Sequence, residues 1–359
     1  MSVHEILIAV MAVFAVLGAV DRICGNRFGL GKEFEEGVLA MGSLAMAMLG
    51  TIALAPVLAA VLRPVVVPVF SFVGADPAMF AGTILACDMG GGALAEQMAQ
   101  SPEAAVLGGL ICGSMLGATV VFTIPVALGI LEEEDRPVMA KGILCGVVTI
   151  PVGILVGGLV AGFPVFMVLR NLIPIVLIAA LIALGLWKAE KTMIRGFAVF
   201  GKGVVALITA GLALAIVEEL TGFAVIPGMA PLGEGFLTVG AIAVVLAGAF
   251  PLVAVVTKLL QKPLGKLGGR LGINHVAAAG LIASLANSIA TFGMVKDMDQ
   301  RGKVVNIAFA VSAAFVFGDH LGYGAGFAPQ ALPAMIAGKL AGGICAVAVA
   351  LWLTKKEKG

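Results

Sequence analysis

The chain has 359 residues, 61% of them hydrophobic and only 12% charged, with a formal net charge of +1 and a mean hydropathy of +1.14. Soluble globular domains carry about 25% charged residues, so this composition excludes that class and indicates an integral membrane protein. There is no basic stripe or aromatic platform, which excludes nucleic acid as a partner, and the five scattered cysteines imply neither a disulfide framework nor a metal-binding pair.

Crossing a hydrocarbon core takes about 20 apolar residues. Runs near that length lie at 4–21, 37–62, 104–131, 139–161, 164–187, 203–217, 235–257, 304–318 and 334–353. The first has no positive segment before it and no small-residue cleavage site after it, so it reads as a retained span rather than a removed signal peptide.

Two shorter, more polar stretches lie between these runs, at 78–95 and 276–294. The first sets a lone carboxylate, Asp88, in apolar sequence and follows it with Gly90, Gly91 and Gly92. A carboxylate at bilayer depth costs about 2.5–3.5 kcal/mol, and each glycine disfavours helix by about 1 kcal/mol relative to alanine. Such sequence is tolerated where it lines a cavity. The second stretch carries Ser284, Asn287, Ser288 and Thr291.

The two stretches occupy corresponding places in a repeat. Shifting the chain by 198 positions superimposes 37–122 on 235–320 without a gap, and Gly37, Gly42, Gly50, Gly74 and Gly82 meet Gly235, Gly240, Gly248, Gly272 and Gly280. Equivalent loops then carry opposite charge bias. Arg22, Arg27 and Lys32 in 21–36 face three glutamates and no base in 218–234. The loop at 62–77 has only Arg63, whereas 258–275 has Lys258, Lys262, Lys266 and Arg270; 96–103 has no base, whereas 296–303 has Lys296, Arg301 and Lys303. Arg136 and Lys141 in 132–141 have no counterpart in 319–333.

Because Lys and Arg mark cytoplasmic loops, this antisymmetry predicts an inverted-topology repeat. The sides balance only if both short stretches enter and leave on one side. The expected fold is therefore all-α, with nine full spans, two re-entrant segments and an outside N-terminus. Repeat 1 covers 1–162, a linker span and cytoplasmic loop cover 163–198, and repeat 2 covers 199–359. The C-terminal Lys355, Lys356 and Lys358 fall in the cytoplasm. A rival count of eleven spans makes the repeats parallel and leaves the charges unexplained.

Two re-entrant tips meeting near the midplane are the usual place for a transporter's substrate site. Asp88 and Asp319 are intramembrane anions with no Lys or Arg close in sequence, so a cationic solute is a natural partner. Asp319 is expected at the end of an apolar segment and His320 in a water-facing loop, with a proton relay as the alternative for the histidine. Asn287 and Tyr323, the only tyrosine, are candidates to bond a substrate hydroxyl, and Gly90 and Gly91 to let backbone and solute approach. An intramembrane aspartyl protease also uses two aspartates, but it needs Tyr-Asp and Gly-x-Gly-Asp; here Cys87 precedes Asp88 and Val316 stands where the first glycine belongs. No HExxH, G-x-S-x-G or P-loop is present, so no enzyme, cofactor or metal is expected.

The strings Gly31-Lys-Glu-Phe-Glu-Glu-Gly37, Cys87-Asp-Met-Gly-Gly91, Ala286-Asn-Ser-Ile-Ala-Thr-Phe-Gly-Met294 and Gly318-Asp-His-Leu-Gly-Tyr323 resemble the ethanolamine permease (EutH-type) family over nearly the whole chain. The resemblance implies a multi-pass permease of the bacterial cytoplasmic membrane whose substrate is ethanolamine, a primary amine protonated at pH 7 as lysine is. Asp88 is then the expected ammonium partner with Asp319 second, and Asn287, Ser288 and Thr291 take the hydroxyl. A channel for the neutral amine is the alternative. Ion coupling and oligomeric state stay open, with a homodimer as the guess.

Overall fold

A computed structural model describes residues 3–355, with backbone only for 260–262 and 264–267; the expectation for Lys356 and Lys358 lies outside the described residues. The chain begins with α1 (Val3–Ile23) and α2 (Leu30–Phe72), the second a 43-residue helix containing Pro56, Pro64 and Pro68. A short pair, α3 (Ala78–Ile84) and α4 (Gly91–Met98), follows. Next come α5 (Pro102–Ile130), α6 (Glu133–Val160), α7 (Val165–Lys188) and α8 (Glu190–Thr221). The second half continues with α9 (Leu232–Leu271), the short pair α10 (His275–Ala286) and α11 (Ser288–Met294), then α12 (Gln300–Ala313), α13 (Asp319–Phe327) and α14 (Leu332–Lys355).

Eight helices among the described residues are long and apolar enough to cross a membrane. The expected ninth span, 304–318, is not one helix: it breaks between Ala313 and Asp319 into α12 and α13. Composition hid the break, because the residues on its N-terminal side, Ala308–Phe317, are apolar apart from Ser312. Its local markers are Gly318 and Asp319 at the far edge.

The same series of elements occurs twice. A helix, a long helix, a short pair and two further segments make up α1–α6, and α8–α14 repeat that order with α12 and α13 in the place of α5; α7 stands between. The long helices α2 and α9 pack against each other, α1 lies along α9, and α8 lies along α2.

Burial separates the centre from the periphery. The most apolar window of α5 is 89% buried, against 11% for that of α1, so α5 is the hub and α1 faces outward. Part of α5 is wound in wide i→i+5 turns, as where the Ala118 N–H reaches the Gly113 carbonyl. The α3–α4 turn presses on this stretch, where a Cβ at Gly113 would lie 3.1 Å from the Cys87 nitrogen. Small residues allow such approach between membrane helices, and π-turns recur at functional sites.

Polar contacts sort the loops into two ends. At one, the Asp76 carboxylate accepts the N–H groups of Ala78 at 2.8 Å and Gln100 at 3.0 Å, the Asp76 N–H donates to Asn171 Oδ1 at 2.7 Å, and Arg63 donates to the Gln97 carbonyl. At the other, Asp299 accepts the Asn274 N–H at 2.7 Å, and Lys303 makes a buried ion pair with Asp135 at 2.5 Å. The 29 residues of α5 join these ends, roughly 43 Å at 1.5 Å per residue. Asp76 thereby ties the loop before α3 to the loop after α4, and Asp299 ties the loop before α10 to the loop after α11.

Candidate functional site

The site forms where three interrupted helices meet. In the first short pair, α3 stops at Ile84, Leu85 and Ala86 are extended, and Cys87–Met89 make a single tight turn before Gly90 reverses the chain at φ +96°. That φ suits glycine, which has no Cβ to clash. The Ala86 carbonyl accepts the Met89 N–H at 3.0 Å and the Gly91 N–H at 2.9 Å, which fixes the loop carrying Asp88.

In the second pair, Asn287 is extended between α10 and α11, and its Oδ1 caps α11 by accepting the Ile289 N–H at 2.7 Å. The α12–α13 break docks onto this turn. Phe315, at φ +61°, donates its N–H to the Ser284 carbonyl at 3.0 Å, and Phe317 donates to the Leu285 carbonyl at 2.9 Å. Backbone groups unwound from one helix therefore satisfy the carbonyls left open at the end of another, as a low-dielectric interior requires. Gly318 lies directly against the Ala286 carbonyl, where a side chain would not fit.

These turns enclose a cavity of about 300 Å³ faced by Asp88, Asn287, Asp319 and His320, with α2 and α5 forming its other walls. Ser43 of α2 and Ile289 of α11 line it and are exposed, so its mouth lies between them. The volume is at the lower end of the range for small-molecule pockets, about 300–1,000 Å³.

Of the residues singled out from sequence, Asp88, Asp319 and Asn287 share this cavity. Ser288 is buried beside it, and its hydroxyl has no partner among the described residues. The Thr291 hydroxyl is taken up within the second pair, bonded to the Gly280 carbonyl at 2.9 Å and to Ser284 Oγ at 2.8 Å. Tyr323 is buried on α13, its hydroxyl against Gly92, and stacks on Phe327. Gly90 packs against Thr51, and Gly91 against the carbonyls of Leu85 and Ala86; neither lines the cavity.

Two expectations are overturned. His320 does not face water: it is 4% exposed and packs on Phe315 with ring centroids 5.2 Å apart. Asp319 does not end a span: it opens α13 after the break that follows α12, and it lines the cavity.

Sequence reasoning missed Lys339. This α14 lysine is 1% exposed, donates to the Ser114 carbonyl at 2.5 Å and lies 3.0 Å from His320 Nδ1. His320 Nε2 in turn lies 3.7 Å from Asp88 Oδ1. An ammonium only donates, so Nδ1 accepts and the ring hydrogen sits on Nε2, toward Asp88. The signal available was one lysine within the apolar run Leu332–Leu353; its partners lie 19 and 225 positions away. Cys87 Sγ, Asp88 and His320 fall within 4.8 Å of one another, close enough to share a metal ion, but in this tautomer Nε2 has no lone pair to offer.

Residues 3–353 match the family described as "Ethanolamine utilisation protein, EutH". A Listeria monocytogenes protein named probable ethanolamine permease EutH is 58% identical over 356 residues, covering 99% of this chain and 95% of that one. The Escherichia coli protein of the same name is 49% identical over 395 aligned positions, covering 99% and 97%. An uncharacterized Bacillus subtilis protein, YxeR, is 51% identical over 357, covering 99% and 96%. No solved structure matches. With the eight long apolar helices, these similarities make the chain a multi-pass membrane protein that belongs to the EutH ethanolamine-utilisation family.

Proposed function

We propose that the chain carries ethanolamine across the bacterial cell membrane as the protonated amino alcohol, by alternating access at a site between the two short helix pairs. Relatives named as permeases make it a transporter rather than an enzyme. The observation that carries the substrate reading is the pair of carboxylates, Asp88 and Asp319, facing one small cavity that Asn287 also lines. An ammonium group fits between two carboxylates. The amide NH2 of Asn287, which has no partner among the described residues, and the open Ser288 hydroxyl suit the substrate's oxygen. Thr291 supports that wall through its internal bonds rather than binding the solute.

The inverted, re-entrant arrangement supports alternating access. Short pairs returning to opposite ends are what oppositely threaded halves produce, and the antisymmetric loop charges agree with it. Rocking one half against the other would expose the cavity first to one side and then to the other.

Uptake of labelled ethanolamine into proteoliposomes tests the reading. Wild-type uptake should saturate with concentration, and Asp88→Asn should abolish it while inserting normally. Unchanged uptake by that variant would remove the carboxylate site, and uptake that rises linearly would favour a channel for the neutral amine.

A further inference from the structure

We propose that the empty site holds a proton on Asp319 and releases it when the ammonium binds, so that the protein exchanges one proton for each protonated amine. This exchange rests on the ethanolamine reading and assigns the ion coupled to it.

Acids outnumber bases around the cavity. Two carboxylates face it, and among the described residues one buried cation lies near them. Lys339 is that cation, and it lies on the Asp88 side: the ammonium is bonded to His320 Nδ1, and the other ring nitrogen lies 3.7 Å from Asp88 Oδ1. The residues facing the two acids from the other packed elements are uncharged, namely Leu44 and Ala47 of α2, Ala118 and Phe122 of α5, and, on the α13 flank, Ile242 and Leu246 of α9. Among the described residues the other titratable neighbours are Cys87 beside Asp88 and Tyr323 on α13. Neither supplies a positive charge.

Asp319 therefore has no cation, and no hydrogen-bond donor to it is found among the described residues. The N-terminal end of α13 favours its anion by about 0.3–1 kcal/mol. Burying an uncompensated ion costs several kcal/mol, which outweighs the helix end, so the carboxyl keeps its proton while the site is empty.

Binding changes that balance. A solute bearing –NH3+ brings a second cation, and Asp319 is the acid free to meet it. The Asp319 O–H bond breaks, the electron pair stays on the carboxylate, the proton leaves through the cavity mouth to water, and the carboxylate pairs with the ammonium. Net charge in the site is the same before and after. On the far side the steps reverse, with a proton from water replacing the departing ammonium.

The test is calorimetric titration of the purified full chain in detergent with ethanolamine hydrochloride near pH 6.5, in two buffers of different ionisation enthalpy. About one proton should be released per ethanolamine bound, and affinity should weaken about tenfold for each pH unit of acidification. Asp319→Asn should release less than half a proton, and Asp319→Glu should restore the wild-type value. Saturable binding without proton release would overturn the exchange alone. Release from Asp319→Asn equal to that of the wild type would overturn the assignment to Asp319. Absence of any saturable binding would remove the transporter reading and the exchange together.

Discussion

Lys339 changes the meaning of Asp88. From sequence, Asp88 is an acid without a partner; in the fold it stands at the head of a chain that runs through His320 to Lys339 and ends on the Ser114 carbonyl. Removing the Lys339 ammonium leaves the Asp88 carboxylate without a nearby cation, and an uncompensated charge in the interior costs several kcal/mol. Lys339→Met should therefore lower stability by that amount in detergent unfolding. Asp88→Asn in the same chain should recover at least about 1 kcal/mol of the loss, since contacting residues are not additive. Strictly additive losses would show that the two residues do not belong to one network. The acids were legible because a carboxylate in apolar sequence is conspicuous by itself. The base was not, because a single lysine in a span gains its meaning from neighbours that only the packing of α5, α13 and α14 brings to it.

The short pairs were legible as elements for a physical reason: glycines and polar side chains in an apolar context mark where a helix cannot continue. Both turns fall within the expected stretches, at Leu85–Gly90 and at Asn287. The third interruption, between α12 and α13, carries such residues only at its far edge, Gly318 and Asp319, and what stabilises it is the bonding of Phe315 and Phe317 to the end of α10. Gly318 permits that docking by lying against the Ala286 carbonyl. Gly318→Ala should force the two apart, with a packing cost of about 1–3 kcal/mol and a large loss of uptake. Gly42→Ala, where an added Cβ meets nothing within 4 Å, is the matched control and should transport normally. Equal activity of the two variants would separate the α10–α13 contact from transport.

At the scale of the molecule, the repeat and the charge pattern argue for oppositely threaded halves, because the sidedness of Lys and Arg is imposed by the membrane rather than by packing. They could not anticipate how the halves cross, with α8 lying along α2 and α1 along α9, or that α5 sits at the hub. The buried Lys303–Asp135 pair joins the start of α12 in the second half to the start of α6 in the first at the end assigned to the cytoplasm, whereas Gln97 and Gln100 lie at the other end. Alternating access at this site depends on the two halves being threaded in opposite senses. Their threading is tested most directly by a membrane-impermeant maleimide applied to intact cells. Gln100→Cys and Lys296→Cys would be made singly in a chain whose exposed Cys24 and half-buried Cys345 are changed to serine. Opposite threading predicts that position 100 labels in intact cells and that position 296 labels only after the membrane is opened. Labelling of both from the same side would contradict it.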